Sequence, residues 1–242
     1  MGSLNFGSFA NVNAVSTSKR TLKPYGSYLV KFEGAEIISG SKKDDPTATY
    51  QAIDLKFEGE EGVFNKRVFF PKDSDGERPK FKNSETGHEY ERPSNFENTM
   101  YLMIQLLQVL NPAGAEKFQM AIPKAKDFAQ LAEVFVKLVN VKKGNELYIK
   151  LVGRNSDGTI YAELPNCVGL NKQNELFPIN AFSLKDDFKW SNYEMQEKAK
   201  YESAKPSAPK PKNNDPLGVE DNNSSSSGEM STDELLDELG GL

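Results

Sequence analysis

The chain holds one cysteine, Cys167, and one histidine, His88. A single thiol excludes an internal disulfide, and one cysteine with one histidine excludes a Cys/His zinc site. His88 lies in a polar stretch with no obvious acid partner, which argues against a Ser/His/Asp or Cys/His catalytic system. No apolar run approaches ~18 residues, so no membrane span is expected. The first residues have no secretory character, and "MGSLNF" puts Phe6 where a myristoylation motif needs Ser or Thr. Neither G-x-x-x-x-G-K-[ST] nor G-x-G-x-x-G occurs. No cofactor and no metal are therefore expected. The expected compartment is the cytosol, the host's if the protein is viral.

The charge is unevenly distributed. The 242 residues carry 30 bases and 35 acids, a formal −5. From Asp215 onward there are eight acids and no base, which leaves 30 bases against 27 acids, +3, for residues 1–214. A mildly basic body joined to an acidic tail suggests a polyanion-binding surface, an interaction tail, or both.

Four segments are expected: a flexible basic arm over 1–26, a folded domain over 27–200, a disordered linker over 201–230 and an acidic tail over 231–242. In the domain, "YGSYLVKFEGAEI" (25–37) alternates as a strand, with Tyr28, Val30 and Phe32 on one side and Leu29, Lys31 and Glu33 on the other. Residues 48–71 read as two strands joined by an acidic, Gly-bounded turn at 58–62, with Ile53, Leu55 and Phe57 alternating against Ala52, Asp54 and Lys56. Residues 71–93 read as a long polar loop. Two helices follow, one capped by Ser94 and stopped by Asn111-Pro112, the other running from about 126 to Gly144. Residues 146–165 read as a hairpin with an "NSDG" turn. Residues 174–182 suggest a last short strand, and 186–205 a closing helix. Three strands, two helices and two strands predict a mainly β, α+β domain: a small Greek-key barrel of the OB type with a helical insertion. An irregular α+β sandwich is the alternative.

Bases and aromatics interleave along this domain. The candidate contacts are Lys19, Arg20, Lys23, Tyr28, Lys31, Tyr50, Lys56, Lys66, Arg67, Phe69, Lys72, Lys80, Phe81, Lys82, Tyr148, Lys150 and Arg154, with Tyr161 beside them. Single-stranded nucleic acid asks for this combination: bases stack on aromatic faces while Lys and Arg follow the phosphates. Half of any strand's aromatics face the core, so core packing competes for each of them. Asp54-x-Lys56 also has the carboxylate–lysine spacing of metal-dependent nucleases, which hold Mg²⁺ and position water. Alternating charge on a wet strand face gives the same pattern.

The tail "STDELLDELGGL" places Leu235, Leu239 and Leu242 at i, i+4 and i+7, with Leu236 alongside. Ser231 or Thr232 is a candidate cap, and Asp233 and Glu234 suit a helix N-terminus, with Asp237 and Glu238 one turn on. Twelve residues are too few for a stable free helix, so the segment is expected to fold on a partner or to mimic a polyanion. A solvated tail that aids solubility is the plain alternative.

An OB-type body, a Ser/Asn-rich linker and "DELLDELGGL" together resemble the phage single-stranded DNA-binding, helix-destabilising proteins. The resemblance implies a protein without catalytic residues that coats DNA in replication or recombination. It also implies a tail that recruits a polymerase, helicase or primase and competes with DNA. "STSKRT" (16–21) is similar to the basic-hydroxyl stretch that such proteins use for self-association. The T-even branch carries a zinc subdomain that this composition cannot form, so the likeness is to a zinc-free branch or to the dimeric proteins of T-odd phages. Two other functions remain open: a metal-dependent nuclease built on Asp54 and Lys56, and a virion structural or adaptor protein.

Overall fold

The computed structural model describes residues 20–42, 45–82, 84, 86–165, 168–170, 176–178 and 180–204. Fourteen elements follow in chain order: β1 (Gly26–Lys42), β2 (Asp45–Gly59), β3 (Gly62–Phe69), β4 (Lys80–Lys82), β5 (Glu89–Glu91), α1 (Asn95–Leu110), α2 (Pro112–Ala121), α3 (Phe128–Asn140), β6 (Glu146–Ser156), β7 (Thr159–Glu163), β8 (Val168–Leu170), β9 (Leu176–Pro178), β10 (Phe182–Ser183) and α4 (Asn192–Ser203). The linker from 205 and the tail lie outside the described residues.

The fold is mixed α and β around one mostly antiparallel sheet of six strands. Five run in the order β10-β6-β1-β2-β3, and β7 pairs with the far half of β6. Alternation decides the faces. Val30 and Phe32 of β1, Ile53, Leu55 and Phe57 of β2, Phe64 and Val68 of β3, and Leu147, Ile149 and Leu151 of β6 are buried in one core. That core continues into Met103, Leu106 and Leu107 of α1, Phe118 of α2, and Phe135 and Leu138 of α3. A register shift between Phe32 and Gly34 inserts one extra residue in β1, so that Ala35 and Ile37 take over the inward positions. The Asn140 amide closes the bulge: it accepts the Ala35 N–H (2.8 Å) and donates to the Ala35 carbonyl (2.9 Å).

The expected closed barrel is not found. Among the described strands β3 pairs with β2 alone, apart from an isolated bridge between Val63 and Thr21, and β7 pairs with β6 alone, so the sheet stays open between β3 and β7. Side chains bridge the gap instead. Lys66 stands on the inward-facing row of β3 with Phe64 and Val68, at the edge of the sheet. Its amine reaches Glu163 of β7 at 3.0 Å.

Two further expectations are corrected. The basic arm does not extend to residue 26. The Leu22 N–H donates to the Val63 carbonyl (3.0 Å), the Val63 N–H donates to the Arg20 carbonyl (2.8 Å), and Leu22 is buried. Gly62 permits this approach, because a Cβ there would overlap the Arg20 carbonyl. Asn111-Pro112 does stop the first helix, but a helix that was not expected, α2, starts at once. Asn111 terminates α1 and also caps α2, accepting the Gly114 N–H at 3.2 Å. Pro112 occupies the first turn of α2, where a missing N–H costs nothing.

The loop over 71–93 is partly structured. It contains a 3₁₀ turn, Asp73–Gly76, and the β4–β5 hairpin. Arg78 ties it to α1 through a bidentate bond to Glu97 (2.6 and 3.0 Å to Oε1, 3.1 Å to Oε2), and Glu97 also closes the capping box with Ser94.

Candidate nucleic-acid interface

The outer face of β2 and β3 gathers three of the expected residues. The register sets Asp54 opposite Arg67 and Ala52 opposite Phe69, with Tyr50 two residues before Ala52 on the same face. Tyr50 and Phe69 meet edge to face, centroids 5.3 Å apart. The Arg67 Nη1 lies 3.5 Å from the Tyr50 hydroxyl, and its Nε lies 3.8 Å from Asp54 Oδ1. Phe69 remains 55% exposed. This ledge presents an aromatic face beside a guanidinium held in place at both ends.

Asp54 is only 8% exposed, and that burial pushes its carboxyl above the ordinary range, against the opposing pull of Arg67 and Lys56. Lys56 is bonded to Glu36 at 2.6 Å. The two groups of the nuclease reading are thus each engaged with a neighbouring strand. Among the described residues no three His, Cys, Asp or Glu side chains are placed to hold a metal ion.

Beyond the ledge, the open seam between β3 and β7 forms a cleft of about 410 Å³. It is lined by Asn65 and Lys66 on one side, and by Arg154, Ser156, Asp157, Tyr161 and Glu163 on the other. A second groove, of about 270 Å³, runs from Lys66 past Arg67 and Phe69 to Asn95 of α1. Lys66 lines both, so the ledge and the seam adjoin. Glu163 is the residue that the sequence reading missed. A glutamate alternating on a hairpin strand carries no local signal of a partner on a strand nearly a hundred residues away.

The other candidates scatter. Lys80, Phe81 and Lys82 form β4, whose partner strand sets Glu91, Tyr90 and Glu89 opposite them. Phe81 stacks on Tyr90 (5.8 Å) with the Arg92 guanidinium 4.3 Å from the Phe81 ring centre. Arg20, Lys23, Lys31 and Lys72 are exposed; Arg20 and Lys23 line one groove with Glu58, Glu60 and Glu61, apart from the ledge. Tyr148 is half-buried opposite Leu29. Lys19 and the tail residues Asp233, Glu234, Leu235, Leu236, Asp237, Glu238, Leu239 and Leu242 lie outside the described residues.

Two candidates are engaged by the protein itself, Tyr28 half-buried and Lys150 buried. Tyr28 points inward: its ring packs on Gly26 and against the core, and its hydroxyl donates to the Lys23 carbonyl at 3.0 Å. Lys150 is 2% exposed. Its amine bonds Glu194 and the Lys189 carbonyl, both at 2.9 Å, and lies 4.7 Å from the Trp190 ring centre. Alternation does place Lys150 on the outer face of β6, but α4 and the segment before it cover that part of the face.

No described helix is long and apolar enough to cross a membrane. Comparison with known proteins yields no matching family model, no matching curated protein and no matching solved structure.

Proposed function

We propose that this chain binds single-stranded nucleic acid, as a DNA-coating protein of phage replication or recombination, without catalysis of its own. The observation that carries the reading is the exposed Phe69 ring set edge-on against Tyr50, with Arg67 fixed beside them and Lys66 and Arg154 along the adjoining seam. Aromatic faces give sequence-tolerant stacking, and the flanking cations follow the backbone. The strand pairing supports the site. β1-β2-β3 with β6 beside β1 and β7 beside β6 is the order of an OB-type barrel left open at its closing edge, and such barrels bind oligonucleotides on the face of their second and third strands. The acidic tail, on this reading, recruits replication enzymes through Leu235, Leu239 and Leu242, and "STSKRT" serves self-association along the strand.

The test is a fluorescence titration with oligo(dT) and with duplex of equal length at two salt concentrations. The account expects preference for the single strand and a log–log salt slope of about −0.7 per phosphate contact. Equal affinity for duplex, or binding indifferent to salt, would overturn it.

A further inference from the structure

We propose that Glu163 holds the place of a backbone phosphate, and that the Lys66–Glu163–Arg154 cluster is a phosphodiester subsite closed by the protein's own carboxylate. The inference rests on the single-strand reading and specifies one contact within it.

The geometry is convergent. Lys66 Nζ approaches Oε1 from β3 at 3.0 Å, and Arg154 Nε approaches Oε2 from β6 at 3.8 Å. Two cations from strands that do not pair with each other thus address the two oxygens of one monoanion. A phosphodiester offers the same charge on two non-bridging oxygens, with a geometry that suits guanidinium and ammonium donors. In β7 the register places Glu163 opposite Val152 and Tyr161 opposite Arg154, so Glu163, Tyr161 and Arg154 share one face of the hairpin. Tyr161 is 41% exposed and lines the same cleft, within reach of a base attached to the phosphate. Asp157, also on the cleft wall, belongs to the hairpin turn and is not ion-paired to either cation.

The clasp is built to exchange. No backbone ladder joins β3 to β7, so displacing Glu163 breaks ion pairs and leaves the sheet intact. The pairs are partly solvated, hence weak and screened by salt. An incoming phosphate takes both cations, and the carboxylate turns outward to water. The empty cleft is thereby kept from collecting stray anions, and its cations are held apart at a fixed spacing before the strand arrives.

Glu163→Gln tests this, because it keeps the shape and removes the competing charge. The expected result is oligo(dT) affinity raised about five- to tenfold at low salt, with the salt slope steeper by about 0.7 for each cation released. Glu116→Gln, at an exposed position on α2, makes the same change in net charge and should leave affinity unaltered. The gain should vanish in a Lys66→Ala, Arg154→Ala background. A gain that persists there, or that Glu116→Gln reproduces, overturns the subsite. Wild-type protein gives a second readout, independent of whether any variant folds. On adding oligo(dT), carbodiimide labelling of Glu163 should rise while acylation of Lys66 falls, and unchanged labelling at both contradicts the exchange. If the wild type binds oligo(dT) and neither readout responds, this inference fails alone. If the wild type does not bind, the parent reading fails with it.

Discussion

Lys150 and Glu194 join the sheet to α4: Nζ lies 2.9 Å from Oε2, the same oxygen that accepts the Ser191 N–H at 2.8 Å in the capping box of that helix. One carboxylate therefore caps a helix and neutralises a buried ammonium. α4 buries no residue of its own, and its Tyr201 ring lies against Tyr25, centroids 5.7 Å apart. Removing one partner of a buried pair costs more than removing both charges, because the remaining ion is stranded. Glu194→Ala strands Lys150, whose side chain is 2% exposed, and is expected to cost about 3 kcal/mol, whereas Lys150→Met leaves Glu194 nearer to water and still bonded to the Ser191 N–H, and should cost clearly less. Urea denaturation of the two variants checks the order, and the reverse order contradicts the pairing.

Gly153 faces the Tyr25 ring, and a Cβ at Gly153 would overlap it. Tyr25 is itself buried, at a left-handed φ of 59°. Gly153→Ala should therefore force the ring or the β6 backbone to move, at about 1–3 kcal/mol. Thermal denaturation measures the loss, and an unchanged midpoint would show that Tyr25 yields freely.

Ser94 is fully buried and accepts the Glu97 N–H at 3.1 Å, so Ser94→Ala should cost about 1 kcal/mol. Glu97 adds a pH dependence. The bond from Arg78, then those from Ser94, outweigh its partial burial and hold its carboxyl below the usual carboxylate range. The folded-state value lies under the unfolded one, so this contribution is complete above the unfolded value and disappears as pH falls through the lowered folded value. Denaturation midpoints followed from about pH 7 to about pH 3 should fall less steeply in Glu97→Gln than in the wild type. Parallel curves would contradict the assignment.

These sites also mark what the sequence made legible. Periodicity of two identified the inward rows Ile53-Leu55-Phe57 and Val30-Phe32, because burial of one face leaves that imprint on any strand. It did not reveal the bulge at Gly34, which shifts β1 by one residue, nor the second cap that Asn111 supplies to α2. Lys150 reads as wet from alternation alone, since only the tertiary position of α4 covers it. The Tyr50–Arg67–Phe69 ledge was legible as residue types and not as a cluster, which depends on the β2–β3 register. Glu163 was not legible, because its partner Lys66 meets it across a seam that the expected barrel would have closed with a ladder.

The central claim is that the Phe69 ledge stacks bases. Phe69 is 55% exposed and lies outside the core, so Phe69→Ala should still fold, losing only the edge contact with Tyr50 at about 1 kcal/mol or less. The decisive measurement is its oligo(dT) affinity beside the wild type's at one low salt concentration. Stacking is worth about 1–3 kcal/mol per base, so the account predicts affinity weaker by roughly five- to thirtyfold, with the salt slope unchanged because no cation is lost. Wild-type affinity in a folded Phe69→Ala protein would contradict it.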